Sequence, residues 1–96
     1  MKIYVDVDNT VFKTNGNDYV NSVPIPENIT KINKLYDEGN TIIYWTARGK
    51  SRGLNFFMLT LDQLVKAGCK FHSLDAEHKP RYDLLICDKT KRIEEI

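Results

Sequence analysis

The sequence predicts an α/β domain built on a doubly wound parallel sheet, and three observations carry that prediction. Short runs of β-forming residues alternate with longer amphipathic helical stripes along most of the chain. Each helical stripe closes on a glycine, at Gly39 and at Gly68. The strand-like runs at residues 41–45 and 84–87 are almost wholly apolar, as strands buried on both faces are.

Residues 2–7 alternate β-formers and run into polar Asp8-Asn9, which predicts a strand followed by a loop. Residues 10–26 are rich in Asn, Gly and Pro. Within them the Asn15-Gly16 pair, flanked by Val11-Phe12 and Tyr19-Val20, predicts a short β-hairpin flap after the first strand. Pro26 suits the first turn of a helix whose inward face is Ile29, Ile32, Leu35 and Tyr36. A buried strand follows at residues 41–45. After a polar loop, Leu54, Phe57, Met58, Leu61, Leu64 and Val65 form the strongest helical stripe in the chain. Residues 69–74 suit a short strand and residues 84–87 a last buried one. Strands alternating in this way with helices imply a right-handed, Rossmann-like sheet with helices on both faces, and such sheets bind ligands at the carboxyl ends of their strands.

Size and composition agree with one such domain spanning residues 1–96. A chain of 96 residues buries roughly 60–70% of its unfolded surface, enough for one core without metal or disulfide staples. Fourteen Lys and Arg against thirteen Asp and Glu leave a formal charge of +1, which offers no basic field for nucleic acid. No uninterrupted apolar run exceeds four residues, so neither a membrane span nor a signal-peptide core is expected. Two cysteines, Cys69 and Cys87, make no disulfide framework, and the expected location is cytoplasmic.

The residues at the predicted strand ends are those that carry chemistry. Asp6 and Asp8 stand two apart in Asp6-Val7-Asp8-Asn9-Thr10, and strand periodicity sends both carboxylates to the same side. Converging carboxylates in a crevice call for a shared proton or a nearby cation; on their own they suit a solvated turn or a helix N-cap equally well. Thr46, in Trp45-Thr46-Ala47-Arg48, puts a hydroxyl at the end of the next strand, where it can hold a phosphoryl oxygen or cap a helix. Lys79 precedes the last strand in His78-Lys79-Pro80, and Asp88 follows it. Each has a bland reading as a surface lysine or a turn residue. Together they supply a nucleophile, an acid/base, oxygen ligands and a Mg²⁺ site, the parts needed for phosphoryl transfer through an aspartyl phosphate.

This ordered set resembles the haloacid dehalogenase (HAD) superfamily of phosphatases. Asp6-Val7-Asp8-Asn9-Thr10 is similar to its Asp-x-Asp-x-Thr signature, Thr46 to its second motif, Lys79 to its third and Asp88 to its fourth. Pro24-Ile25-Pro26 and Lys79-Pro80-Arg81-Tyr82-Asp83 resemble a small capless subgroup, some of whose members are associated with capsule or surface-polysaccharide biosynthesis. The resemblance implies a capless, Mg²⁺-dependent phosphomonoester hydrolase. Asp6 would attack phosphorus, and Asp8 would protonate the leaving oxygen and then activate water. Thr46 and Lys79 would hold the phosphoryl oxygens, while Asp6, Asp88 and the backbone carbonyl of Asp8 would ligate Mg²⁺. The expected partner is a small phosphorylated metabolite, for example a sugar phosphate. No nucleic acid or membrane is indicated.

Other signals are weaker. Gly49-Lys50-Ser51 resembles the end of a P-loop, but Tyr44 stands where that motif needs glycine. Arg48, Lys50 and Arg52 cluster near the site and either steer a phosphorylated substrate or form a solvated loop. Cys69 and His72 lack a second pair at zinc spacing, and Cys87 suits core packing. Two other functions compete. A receiver-like phosphoacceptor domain would use Asp75 at the third strand end, but receivers carry adjacent acids after the first strand and these are alternate. The other is a non-catalytic phospholigand-binding module.

Overall fold

The computed structural model describes residues 1–49, 55–76 and 84–86. Four strands form one all-parallel sheet: β1 (Lys2–Asp6), β4 (Thr41–Trp45), β5 (Ser73–Asp75) and β6 (Leu84–Ile86), in the spatial order β5-β4-β1-β6. Two further strands, β2 (Phe12–Lys13) and β3 (Val23–Pro24), pair antiparallel beside it. The helices are α1 (Pro26–Asp37) and α2 (Phe57–Lys66).

From β1 the chain steps outward to β4 and then to β5, whereas β6 lies on the opposite side of β1. This reversal puts the switch point of the sheet between β1 and β6, with Asp6 as the last residue of β1. Alternation assigns the side chains. Ile3 and Val5 of β1, aligned with Ile42 and Tyr44 of β4, share a buried cluster with Leu74, Ile86, Ile29, Ile32 and Leu64. Tyr4, Ile43 and Leu85 form a second cluster on the reverse face, with Trp45 packed against it.

Both described helices therefore cover one face of the sheet, rather than one on each as expected. The cause is directional: the crossovers β1-α1-β4 and β4-α2-β5 travel the same way across the sheet, and crossovers of one hand travelling one way land on one face. The returning connection from β5 to β6 lies outside the described residues. Among those described, no helix is long and apolar enough to cross a membrane.

The first helix starts and stops where its residues require. Pro26 occupies its first turn with Glu27 beside it, Lys34 sits in the last turn, and Gly39 ends it at φ 98°. In α2, the Asn55 side chain accepts from the Phe57 N–H at 2.9 Å, and Gly68 closes the far end at φ 79°. Two residues of the expected apolar stripe face water: Met58 is 71% exposed and Val65 62%. The buried positions are Thr60 and Leu64, with Phe57 and Leu61 packed partly against the core. Leu54 lies outside the described residues. The strand expected at residues 69–74 is shorter and later, at Ser73–Asp75, because Cys69 still bonds back to the Leu64 carbonyl as part of the helix end.

Asn15-Gly16 does make a turn, with the Asp18 N–H bonded to the Asn15 carbonyl at 3.0 Å and Gly16 at φ 54°. It does not join Val11-Phe12 to Tyr19-Val20. Phe12 pairs instead with Pro24 and Lys13 with Val23, because residues Tyr19–Asn21 coil into a 3₁₀ turn and the Tyr19 ring packs edge-on against Phe56 at 5.0 Å. A contact distant in sequence outweighs the local hairpin signal.

The revised stripe makes a direct stability test. Leu64→Ala, at a fully buried site, should lower the unfolding free energy by about 2–5 kcal/mol. Val65→Ala, one residue on, should change it by no more than about 0.5 kcal/mol. Urea unfolding followed by circular dichroism checks both.

Candidate active site

Asp6 ends β1 in the row Asp6, Trp45, Asp75, which crosses three adjacent strands at their carboxyl ends. The chain then leaves the sheet in a tight loop. Val7, fully buried, accepts on its carbonyl from the N–H groups of Thr10, Val11 and Phe12, and Asn9 takes φ 61°. One carboxylate oxygen of Asp6 accepts from the Val7 N–H at 2.9 Å. The turn carries Asp8 away from the sheet toward α2 and the 14–22 segment, where its carboxylate is held by long-range contacts.

Those contacts come chiefly from Arg48. Its Nε donates to both oxygens of Asp8 at 3.1 Å, and its Nη2 donates to Oδ1 at 2.8 Å. The Thr14 hydroxyl adds a bond to Oδ1 at 2.6 Å. The side chain of Arg48 is 0% exposed and that of Asp8 25% exposed. The rest of the guanidinium is engaged by Thr60, Gln63 and Ser22, with the Tyr19 ring 5.0 Å from its central carbon. A guanidinium has five N–H donors, and here each meets an acceptor. Arg48 therefore has no free N–H with which to steer an incoming anion, and it does not stand in a solvated loop. Burial among α2 and the 14–22 segment converts it into an internal anchor.

Thr46 is buried immediately beyond β4. Its N–H donates to the Asp75 carbonyl at 3.0 Å, and its hydroxyl accepts from the Arg48 N–H at 3.1 Å. Asp6 and Thr46 thus belong to one end of the sheet, and Arg48 links Thr46 to Asp8. Lys79, Asp88, Lys50, Arg52 and Cys87 lie outside the described residues. Thr14, Ser22, Thr60 and Gln63 were not singled out by sequence reasoning. Only Thr60 and Gln63 carry a signal, being polar residues three apart beside the apolar face of α2.

Other candidate chemistry is absorbed by structure. Burial pushes the Cys69 thiol up to about 11, and Cys69 packs against the core, which leaves little thiolate at neutral pH. The His72 Nδ1 accepts from the Ile42 N–H at 3.1 Å while its ring stacks on Tyr36 at 4.8 Å. At the end of β5, Asp75 accepts from the Tyr4 hydroxyl at 3.4 Å. Among the described residues no group of three His, Cys, Asp or Glu side chains gathers around a point.

In a comparison with solved structures, the chain resembles the crystal structure of an MCSG target from Vibrio cholerae. The TM-score is 0.74 at 22% sequence identity, covering 98% of this chain and 85% of that one. At that identity the likeness speaks for the fold, a small α/β domain on a four-stranded parallel sheet. No family model and no curated protein matches the chain.

The buried charge sets an expectation for stability. Removing one partner of a buried ion pair strands the other, at about 3–5 kcal/mol where both are fully enclosed. Asp8 is partly solvated, so Asp8→Ala should cost about 3 kcal/mol, whereas Asp8→Asn keeps an acceptor for Arg48 and should cost less. Paired urea titrations test the order. A different outcome is expected at Thr10, whose hydroxyl is buried without a hydrogen-bond partner among the described residues. Thr10→Val should leave stability unchanged or raise it by about 1 kcal/mol, read in the same titrations.

Proposed function

We propose that the chain is a capless, Mg²⁺-dependent phosphomonoester hydrolase of HAD type, working through an aspartyl phosphate on Asp6. The observation that carries this reading is the position of Asp6. A carboxylate that ends the central strand β1, between β4 and β6, stands where open parallel sheets hold their ligands. Thr46 lies one residue past its neighbour in the adjacent strand. The order of the motifs in the sequence supplies the remainder of the argument.

The reaction would run in two displacements. An oxygen of Asp6 attacks phosphorus, the bond from phosphorus to the leaving oxygen breaks, and the proton on the Asp8 carboxyl passes to that oxygen. Water then gives a proton back to Asp8 and attacks phosphorus, releasing inorganic phosphate and the Asp6 carboxylate. Thr46 and Lys79 would donate to the phosphoryl oxygens, where fixed donors stabilise developing charge. The donor set fits Mg²⁺, since Asp6, Asp88 and the Asp8 carbonyl are all hard oxygen ligands. The Asp8 carboxylate is already occupied by Arg48 and Thr14, which favours its main-chain carbonyl for the metal. When bound, Mg²⁺ would neutralise charge on the transferring phosphoryl group. In this reading residues 14–22, which carry Thr14 and Ser22 to Asp8 and Arg48, take the place of a cap domain, and the proposed substrate is a small phosphorylated metabolite such as a sugar phosphate.

Purified protein with Mg²⁺ should hydrolyse an aryl phosphate, and a screen of phosphorylated sugars, nucleotides and glycerol derivatives should find a preferred substrate. Asp6→Asn should abolish turnover while leaving the circular dichroism spectrum intact, because asparagine is nearly isosteric but a poor nucleophile. Wild-type rates from that variant would refute the assignment. Asp88→Ala should weaken Mg²⁺ binding in calorimetric titration.

A further inference from the structure

Hydrogen-bond direction around Arg48 distinguishes the two oxygens of Asp8. The Thr14 hydroxyl spends its single proton on Asp8 Oδ1, at 2.6 Å. Across the 2.7 Å contact between Thr14 and Ser22, Ser22 must therefore be the donor. Ser22 Oγ in turn accepts from Arg48 Nη2 at 3.3 Å, and Nη2 also donates to Asp8 Oδ1. The result is a closed ring of two arms, both running from Arg48 as donor to Asp8 as acceptor: Arg48 to Ser22, Ser22 to Thr14 and Thr14 to Asp8 on one, and Arg48 directly to Asp8 on the other. On the other side of the guanidinium, Thr60 accepts from Nη1 and donates to the Phe56 carbonyl at 2.7 Å. Gln63 likewise accepts from Nη1 and donates to the Tyr19 carbonyl at 2.7 Å. With both hydroxyls of the ring and the Gln63 amide each bonded on either side, the guanidinium cannot turn without breaking several bonds.

The ring treats the Asp8 oxygens unequally. Oδ1 accepts from Thr14, from Nη2 and from Nε, whereas among the described residues Oδ2 accepts only the shared bond from Nε. Oδ2 retains the lone pair that a transferable proton needs. We infer that Arg48, Ser22 and Thr14 are positioning residues that lock the Asp8 carboxyl and commit its Oδ2 to the proton transfer. This deepens the phosphatase reading and rests on it. It also makes residues 14–22 part of the acid/base apparatus rather than only a rim for recognition, since Thr14 and Ser22 both belong to that segment.

The decisive variant is Thr14→Val, which removes one bond to Oδ1 and breaks the ring while leaving the Arg48–Asp8 pair in place. A residue that only stabilises the fold would slow all substrates alike. A residue that positions the acid slows those whose leaving group needs a proton. General acid catalysis contributes about 10²–10⁴-fold, so Thr14→Val should lower kcat by about tenfold on an alkyl phosphate. On dinitrophenyl phosphate the loss should stay under about twofold, with KM unchanged on both. Arg48→Lys, which keeps the charge but loses the fork, should show the same split more strongly. Equal losses on the two substrates would overturn the inference. A second readout needs no turnover: the Arg48 Nε–H resonance in ¹⁵N-labelled protein. It should exchange slowly with water, shift in Thr14→Val and Asp8→Asn, and stay in place in Asp6→Asn. Rapid exchange, as in a solvated arginine, would also overturn the inference. If wild-type protein hydrolyses no phosphate yet the resonance behaves as expected, the ring stands and the phosphatase reading falls.

Discussion

A guanidinium with no exposed surface has to be compensated inside the protein, and the compensation of Arg48 organises most of what surrounds it. Desolvating the group costs several kcal/mol even after relaxation. The ion pair with Asp8, hydrogen bonds to the neutral acceptors Ser22, Thr60 and Gln63, and the face of Tyr19 offset that cost. None of these partners is near Arg48 in sequence. The loop after β1, the 14–22 segment and helix α2 are drawn together because each supplies part of one coordination shell. Moving any of them would strand a buried charge.

The sheet sets where this shell can act. With β6 on the far side of β1 from β4, the carboxyl end of β1 lies at the switch point of the strand order, where open parallel sheets hold their ligands. Asp6 ends at that point, and Thr46 lies just past the end of the neighbouring strand. Arg48, two residues beyond Thr46, carries the same strand end into the buried network, its own N–H bonded to the Thr46 hydroxyl. The backbone trajectory of β4 thus serves two purposes. It sets a buried hydroxyl just past the strand end and sends the next long side chain inward to hold Asp8.

Packing explains the departures from local pattern. The apolar stripe of α2 is broader in sequence than in space, because the helix needs only the arc that meets the sheet and the 14–22 segment. Met58 and Val65 fall outside that arc, and Thr60, a polar residue, falls inside it because Arg48 needs an acceptor there. The Asn15-Gly16 turn forms, yet the strands that pair around it are Phe12-Lys13 and Val23-Pro24 rather than Val11-Phe12 and Tyr19-Val20. The Tyr19 ring packs instead against Phe56 and the Arg48 guanidinium.

Local pattern along the chain is enough to read most of the elements and their order. Glycine stops, the Pro26 start, the 3.6-residue period and the apolar strand runs are local properties, and they make α1, β1, β4 and β6 legible without a structure. It also put the chemistry-bearing residues at strand ends, because Asp6, Asp8 and Thr46 follow directly on those runs. The folded arrangement settles which face the helices cover, since that depends on the direction in which successive crossovers travel. It alone decided that Arg48 is an internal anchor, because a lone arginine after a strand reads the same whether it meets water or Asp8, forty residues earlier. Partners distant along the chain leave no periodic trace; their pairing exists only once the chain has folded around the charge.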